Sequence, residues 1–309
     1  MTLIALGFGS FLLRDCHNGN CLLFKRLPNL SILKHNDDFD APVSDCVDIA
    51  FVVANFSDPQ AHAQTHGEAA LFLDRVLFTY PDVPCVLNEI TLRMQPGERL
   101  GVIGPNGAGK TTLFLTICGV LRPNSGAVRL FGKPVIPGEF RPDVGLVFQN
   151  PNDQLFSPSV WDDVAFGVEN LGYSEAEVTE RVRQTLEQLG ILEYRDRPPH
   201  HLSGGQKRMV AIAGVLAMQP QLILYDEPSA NLDLRSRRRL IEFLQQSSQT
   251  LLIASHDLEL ILELCDRVLL LDEGAIIADG SPVEIMGDRP LMEAHGLEKP
   301  SALSPHPPR

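Results

Sequence analysis

No run of the chain approaches the roughly eighteen consecutive apolar residues that a membrane-spanning helix needs, so its 309 residues are expected to work in water or against a membrane surface. No CxxC pair exists among the six cysteines, Cys16, Cys21, Cys46, Cys85, Cys118 and Cys265. Their scatter suits reduced thiols in a reducing compartment rather than a disulfide framework. Positive charge is also short: the formal net charge is -13, whereas a dedicated nucleic-acid binder presents a basic face. No nucleic-acid partner is therefore expected. The apolar start from Thr2 to Leu13 has no basic residue before it and no clean small-residue cleavage site after it, so a secretory signal does not fit. The chain reads as cytosolic and is long enough to bury a full core.

Residues 1–70 differ in texture from the rest and are expected to form a poorly ordered extension ahead of the functional domain. Cys16, His17, Cys21 and His35 fall there but lack the paired spacing of a zinc site. Asp37, Asp38, Asp40, Asp45 and Asp48 read as a solvated acidic stretch. At the other end, residues 298–309 are rich in proline and poor in apolar side chains, and are expected to be a flexible tail.

What is present is concentrated between residues 71 and 297. Gly104-Pro105-Asn106-Gly107-Ala108-Gly109-Lys110-Thr111-Thr112 matches the phosphate-loop pattern Gly-x-x-x-x-Gly-Lys-[Ser/Thr] at each fixed position. The apolar run from Arg99 to Ile103 before it suits a buried strand, and Thr112 to Ile117 after it can open a helix. A strand, a glycine-rich turn and a helix start gather backbone N–H groups and the positive helix end around one point, which favours a triphosphate. Gly107 and Gly109 leave no side chain in the way, Lys110 is expected to reach the β- and γ-phosphates of ATP, and the Thr111 hydroxyl to ligate Mg2+.

The segments around the loop supply further polar groups at strand and helix ends. Leu71 to Tyr80 has a strand composition, and Tyr80 at its end either stacks on a purine or packs on the core. Gln149 follows the strand-like Val144 to Phe148, where a neutral amide can ligate a metal or orient a water. Residues 152–217 read as mostly helical, with a capping-box pattern at Ser174-Glu175-Ala176-Glu177 and Val178, Val182, Leu186 and Leu189 at helical spacing. Ser203-Gly204-Gly205-Gln206 opens another helix, which makes either a second anion-binding start or an ordinary serine cap. The apolar strand from Gln221 ends in Asp226 and Glu227; Asp226 suits a Mg2+ ligand or its outer shell, and Glu227 suits polarising an attacking water. A third apolar strand, Thr250 to Ala254, ends in Ser255-His256-Asp257, from which His256 can contact a γ-phosphate.

In this order, Tyr80, residues 104–112, Gln149, Leu202-Ser203-Gly204-Gly205-Gln206, the Asp226-Glu227 strand, Ser229-Ala230-Asn231-Leu232-Asp233 and His256 resemble the ATP-binding subunit of ABC transporters across about residues 71–297. Val147 to Phe156, Val164-Ala165-Phe166-Gly167 and Gln206 to Ala217 look like the energy-coupling-factor group of importers, and Leu291 to Glu298 is similar to cobalt and nickel uptake ATPases. Leu234 stands where many relatives carry proline. The resemblance implies an α/β fold: a phosphate-loop core with a mixed sheet, an antiparallel β subdomain and an inserted helical subdomain at about 152–217. It also implies that ATP joins two such subunits, a homodimer or a pair with a close paralogue, with Ser203, Gly204, Gly205 and Gln206 of one closing the site of the other and Asp233 at the seam. The membrane partners implied are a transmembrane coupling component and a substrate-binding subunit, with this chain peripheral on the cytoplasmic face. A groove near Phe156, Trp161, Val164 and Phe166, rimmed by Asp162 and Asp163, is expected to seat a basic coupling helix.

Other importers of the same group carry vitamins, which remains an alternative to a metal ion. Soluble relatives acting on ribosomes usually carry two ATPase domains in one chain, and this chain has one phosphate loop. Those that repair DNA insert long coiled coils for which residues 112–202 leave no room. A regulatory module without turnover would need neither Glu227 nor His256.

Overall fold

The computed structural model describes residues 68–303 and three short strands near the N-terminus. These strands, β1 (Thr2–Leu6), β2 (Ser10–Arg14) and β3 (Cys21–Lys25), pair antiparallel in that order within a unit of their own, residues 1–50. Their side chains and the other residues before 68 lie outside the described residues, and with them the expectation for residues 1–70.

Within residues 51–309, two sheets carry the structure. The first is antiparallel, in the order β5-β4-β7-β8 when β4 is Leu71–Tyr80, β5 Val83–Met94, β7 Ser125–Leu130 and β8 Lys133–Pro134. The second contains β6 (Arg99–Ile103), β9 (Val144–Val147), β10 (Leu222–Asp226), β11 (Thr250–Ala254) and β12 (Arg267–Asp272), parallel in the order β12-β6-β11-β10-β9. β13 (Ala275–Gly280) pairs antiparallel with β12 and makes this sheet mixed. β10 and β11 are buried at every position, as parallel strands covered on both faces must be. Their side chains alternate between two cores: Leu222, Leu224, Leu252 and Ala254 pack with the antiparallel sheet, while Ile223, Tyr225, Leu251 and Ile253 pack with helices on the other face.

The helices follow the sequence signals. α1 (Lys110–Ile117) starts straight after Gly109. α2 (Val160–Asn170), α3 (Glu175–Gln188) and α4 (Gly204–Leu216) lie together between β9 and β10 in sequence. In α3 the capping box forms as expected: Ser174 Oγ accepts from Glu177 N at 3.4 Å, and Glu177 Oε2 accepts from Ser174 N at 2.9 Å. Val178, Val182 and Leu186 are buried along one face, each worth about 1.5–3 kcal/mol relative to exposure. Gly190, at φ +66°, follows where the helix must stop. α5 (Leu234–Gln246), α6 (Leu258–Leu264), α7 (Pro282–Gly287) and α8 (Arg289–Ala294) complete the chain. Among the described residues, no helix is long and apolar enough to cross a membrane.

Two expectations are corrected. In α2, positions 160, 163, 164 and 168 share the face that meets the core, so Val164 and Asp163 turn inward. Asp163 is no rim acid: its Oδ1 accepts the N–H groups of Phe156 at 3.1 Å and Ser157 at 2.9 Å, holding the preceding loop. Burial pushes its carboxyl above the usual range, partly offset by those two N–H groups. Of the expected groove residues, Phe166 is exposed, Phe156 and Trp161 are half-buried, and Asp162 is the acid left at the surface. The second correction concerns the tail. Expected to be flexible from residue 298, it packs as far as Leu303: Pro300 is buried, and Glu259 Oε1 accepts Ser301 Oγ at 2.6 Å and Ala302 N at 3.2 Å.

Candidate active site

The C-terminal ends of β6, β10 and β11 lie side by side and deliver the functional side chains to one cleft, the usual ligand position in an open α/β sheet. Its volume is about 390 Å³, and its lining contains Tyr80, residues 106–112, Gln149, Asp226, Glu227 and His256. At its base, Gly104 needs to be glycine: its φ is +152°, and a Cβ there would sit 1.9 Å from Leu271 O. Gly109, at φ +103°, caps α1 without a side chain, so the first N–H groups of the helix face the cleft.

Lys110 Nζ donates to Gly104 O at 2.8 Å and Pro105 O at 3.0 Å, and lies 3.4 Å from His256 Nε2. Burial lowers its pKa, while Glu227 and Asp226 pull it back up. Thr111 Oγ1 donates to Asp226 Oδ2 at 2.7 Å, joining loop and strand end directly. Burial raises the Asp226 carboxyl above its ordinary value; the Thr111 hydroxyl and the charges of Lys110, Arg208 and His256 oppose this.

Glu227 stands one residue beyond the strand at φ +50°, a left-handed conformation rare for a glutamate and costing about 1–2 kcal/mol. The turn re-aims the side chain. Oε2 accepts from His256 N at 3.1 Å and from Ser255 Oγ at 3.3 Å, while Oε1 is buried without a hydrogen bond, 3.6 Å from His256 Nε2. An oriented, unsatisfied carboxylate oxygen is what holding a water requires. Thr111, Gln149 and Asp226 together present hydroxyl, amide and carboxylate oxygens, the hard donor set that Mg2+ takes, and they border the same cleft.

Tyr80 sits at the mouth, its ring edge-on to Phe78 at 4.8 Å between centroids and its hydroxyl 3.5 Å from Thr112 Oγ1. Ser203 caps α4, accepting from Gln206 N at 3.3 Å, while Gln206 Oε1 accepts from Ser203 N at 2.9 Å. Ser203 and Gly204 are exposed and do not line the cleft of their own chain. Asp233, also exposed, caps α5 by accepting from Ser236 N at 2.7 Å, a bond that holds its carboxyl below the ordinary range.

Some residues of the site escape motif reading. Arg208, 2% exposed, donates to Phe148 O at 2.9 Å and Ala230 O at 3.5 Å, linking α4 to the residues before Gln149 and after Glu227. Its signal was available: it shares the apolar stripe of Ile212 and Val215 at helical spacing. Arg237 of α5 grips Asp257 with two bonds, 2.6 and 3.0 Å, beside His256. Nothing local in the sequence marks that pair.

A buried parallel sheet, a glycine loop feeding a helix and two carboxylates facing the loop define a phosphate-loop ATPase of the α/β class. The model of the ABC transporter family matches residues 87–230. Over 234 residues the chain is 56% identical to an ABC transporter ATP-binding protein of Synechocystis, a match covering 76% of this chain and 82% of the relative. It is 47% identical over 231 residues to the energy-coupling factor transporter ATP-binding protein EcfA of Methanothermobacter thermautotrophicus, covering 72% and 74%. Its fold is similar to that of cbiO1 from Clostridium perfringens, part of the ABC transporter complex cbiONQ, with TM-score 0.65, 35% identity and 74% and 94% coverage. The chain belongs to the ABC transporter family, as an ATP-hydrolysing, ATP-binding subunit of the energy-coupling-factor type.

Proposed function

We propose that this subunit powers uptake of a transition-metal ion, cobalt or nickel, from the cytoplasmic face of the cell membrane. The similarity of Leu291 to Glu298 to metal-uptake ATPases and the likeness to cbiO1 support that cargo. Its partners are a transmembrane coupling component and a substrate-binding membrane subunit. The coupling component seats near Phe156 and Phe166, whose rings meet edge-to-face at 4.9 Å, beside a groove of about 210 Å³ that includes Asn152, His200 and Lys207.

In the cleft, Tyr80 stacks on the adenine, and the backbone from Gly104 to Gly109 with Lys110 and Thr112 cradles the phosphates. Thr111, Gln149 and Asp226 would hold Mg2+, which would supply positive charge to the phosphates. Glu227 orients the attacking water through Oε1, and His256 contacts the γ-phosphate. Ser203, Gly204, Gly205 and Gln206 complete the site of a second copy of the chain, whose own helix start returns the contact, with Asp233 at the seam. The single observation that carries this reading is the buried Oε1 of Glu227, which makes no hydrogen bond and faces His256 Nε2 at 3.6 Å, beside the Thr111–Asp226 bond. Glu227→Gln should abolish steady-state hydrolysis while trapping an ATP-bound dimer on a sizing column; unchanged turnover would refute the role. Uptake of radioactive cobalt or nickel by cells holding the complete complex tests the cargo, and uptake of neither ion would remove it.

A further inference from the structure

The stretch from Leu291 to Glu298 takes no part in the cleft, yet it carries a side chain bonded to the turn behind the phosphate loop. His295 follows α8, which buried Met292 anchors. Its Nδ1 lies 2.7 Å from Asp272 Oδ2, with the two side chains only 22% and 20% exposed. The other carboxylate oxygen of Asp272 accepts from Glu273 N at 2.9 Å. Asp272 thereby pins a turn in which Glu273 and Gly274 have φ of +46° and +75°, the first of these rare for a side-chain-bearing residue.

That turn touches the loop backbone to backbone. Gly274 N donates to Ala108 O at 3.2 Å, and Gly274 O accepts from Asn88 N at 2.8 Å. A Cβ at Gly274 would lie 2.6 Å from Val86 O, and one at Gly104 would lie 1.9 Å from Leu271 O, so the turn is packed against Val86, and the residue before Asp272 against Gly104, with no room for a side chain between them. Val86 and Ala108 both line the cleft.

We propose that His295 is a positioning residue for ATP binding: it holds Asp272, Asp272 fixes the 272–274 turn, and the turn sets the placement of Gly104 and Ala108. The inference rests on the reading of that cleft as the ATP site. A carboxylate oxygen accepts, so Nδ1 is the donor of this bond. An amide in the same place can substitute; an apolar side chain cannot. Loop N–H groups bond the phosphates before and during reaction alike, so a displaced loop weakens ground state and transition state together, raising KM and sparing kcat.

The test is ATP hydrolysis by the purified full-length chain against ATP concentration, with the thermal unfolding midpoint recorded for each variant. His295→Leu should raise KM about three- to tenfold, with kcat changed by less than about twofold. His295→Asn, whose amide can donate to Asp272, should restore KM to within about twofold of wild type. Lys110→Ala runs alongside; if it retains normal hydrolysis, the reading of the cleft is at fault rather than the role of His295. An unchanged KM in His295→Leu, even with a lowered midpoint, overturns the proposal. So does a His295→Asn variant as impaired as His295→Leu.

Discussion

Arg237→Gln perturbs a contact that ties two helices together beside the cleft. The guanidinium donates to both oxygens of Asp257, at 2.6 and 3.0 Å, and about a quarter of each side chain faces water. Asp257 also caps α6 by accepting from Leu260 N at 3.0 Å, and it immediately follows His256. A charged, two-pronged bond is worth about 1.5–3 kcal/mol when well shielded, and solvent screening brings this one down to about 1 kcal/mol. With a urea slope of about 3 kcal/mol/M, that is a midpoint lower by about 0.3 M. Arg183 provides the control. It bonds Glu180 and Glu187 at 2.6–2.7 Å, but those side chains are 43–51% exposed, so Arg183→Gln should leave the midpoint where it was. The effect of Arg237 has a pH signature. Burial works against the Asp257 carboxylate, but Arg237 and Leu260 N outweigh it and hold the pKa below its ordinary value. A lowered folded-state pKa stabilises above the unfolded value, so the difference between wild type and Arg237→Gln should be constant above about pH 5 and shrink below it. Urea unfolding at several pH values reads both. A larger loss for Arg183→Gln, or a difference that grows as the pH falls, would show that burial is the wrong guide.

Gly104→Ala and Gly107→Ala should part company. The first would force a methyl to 1.9 Å from Leu271 O and should prevent folding of the loop, while the second meets no atom of the chain within 4 Å and should cost only about 1 kcal/mol of stability for its φ of +83°, weakening nucleotide binding without unfolding the loop. Nucleotide binding and circular dichroism of the two variants check this. Asp163→Ala strands the N–H groups of Phe156 and Ser157 and should lower stability by about 2 kcal/mol. Asp163→Asn keeps an accepting oxygen and removes a buried charge. Because burial raises the folded-state pKa of Asp163, ionisation costs stability as pH rises from about 4, so the asparagine variant should gain on wild type between acid and neutral pH in thermal unfolding.

The legible parts of the site were those whose geometry is local. A glycine loop between strand and helix, or a carboxylate ending a buried strand, carries its structural context in adjacent residues: Gly104 to Gly109 lie between a strand and a helix start, and Asp226 ends a fully buried strand. The apolar stripe marks Arg208 as buried but not its partner, since it bonds Phe148 across 60 positions, and the Lys110–His256 approach spans 146, which no local pattern encodes. The direction of Glu227 depends on a left-handed φ, with its N–H bonded to Ala254 O at 2.9 Å on the neighbouring strand, a pairing no local pattern encodes. Asp163 was misplaced because the inward face of α2 is chosen by its packing on α3 and α4, and a buried acid fits that face only when loop N–H groups come to meet it. The tail shows the same limit: a proline-rich stretch reads as loose until Glu259 supplies its contact.

In the proposed dimer, a working site needs the phosphate loop of one copy and the Ser203 helix start of another. Two variants divide these halves. Lys110→Ala removes the lysine from the loop. Ser203→Asp keeps a competent cap on α4 while setting a negative charge against the phosphate. Each chain alone should be inactive in ATP hydrolysis, and mixing them should restore activity, because one of the two composite sites in a mixed dimer is then intact. A mixture no more active than either chain alone, or a Ser203→Asp chain that hydrolyses ATP normally by itself, would contradict the account.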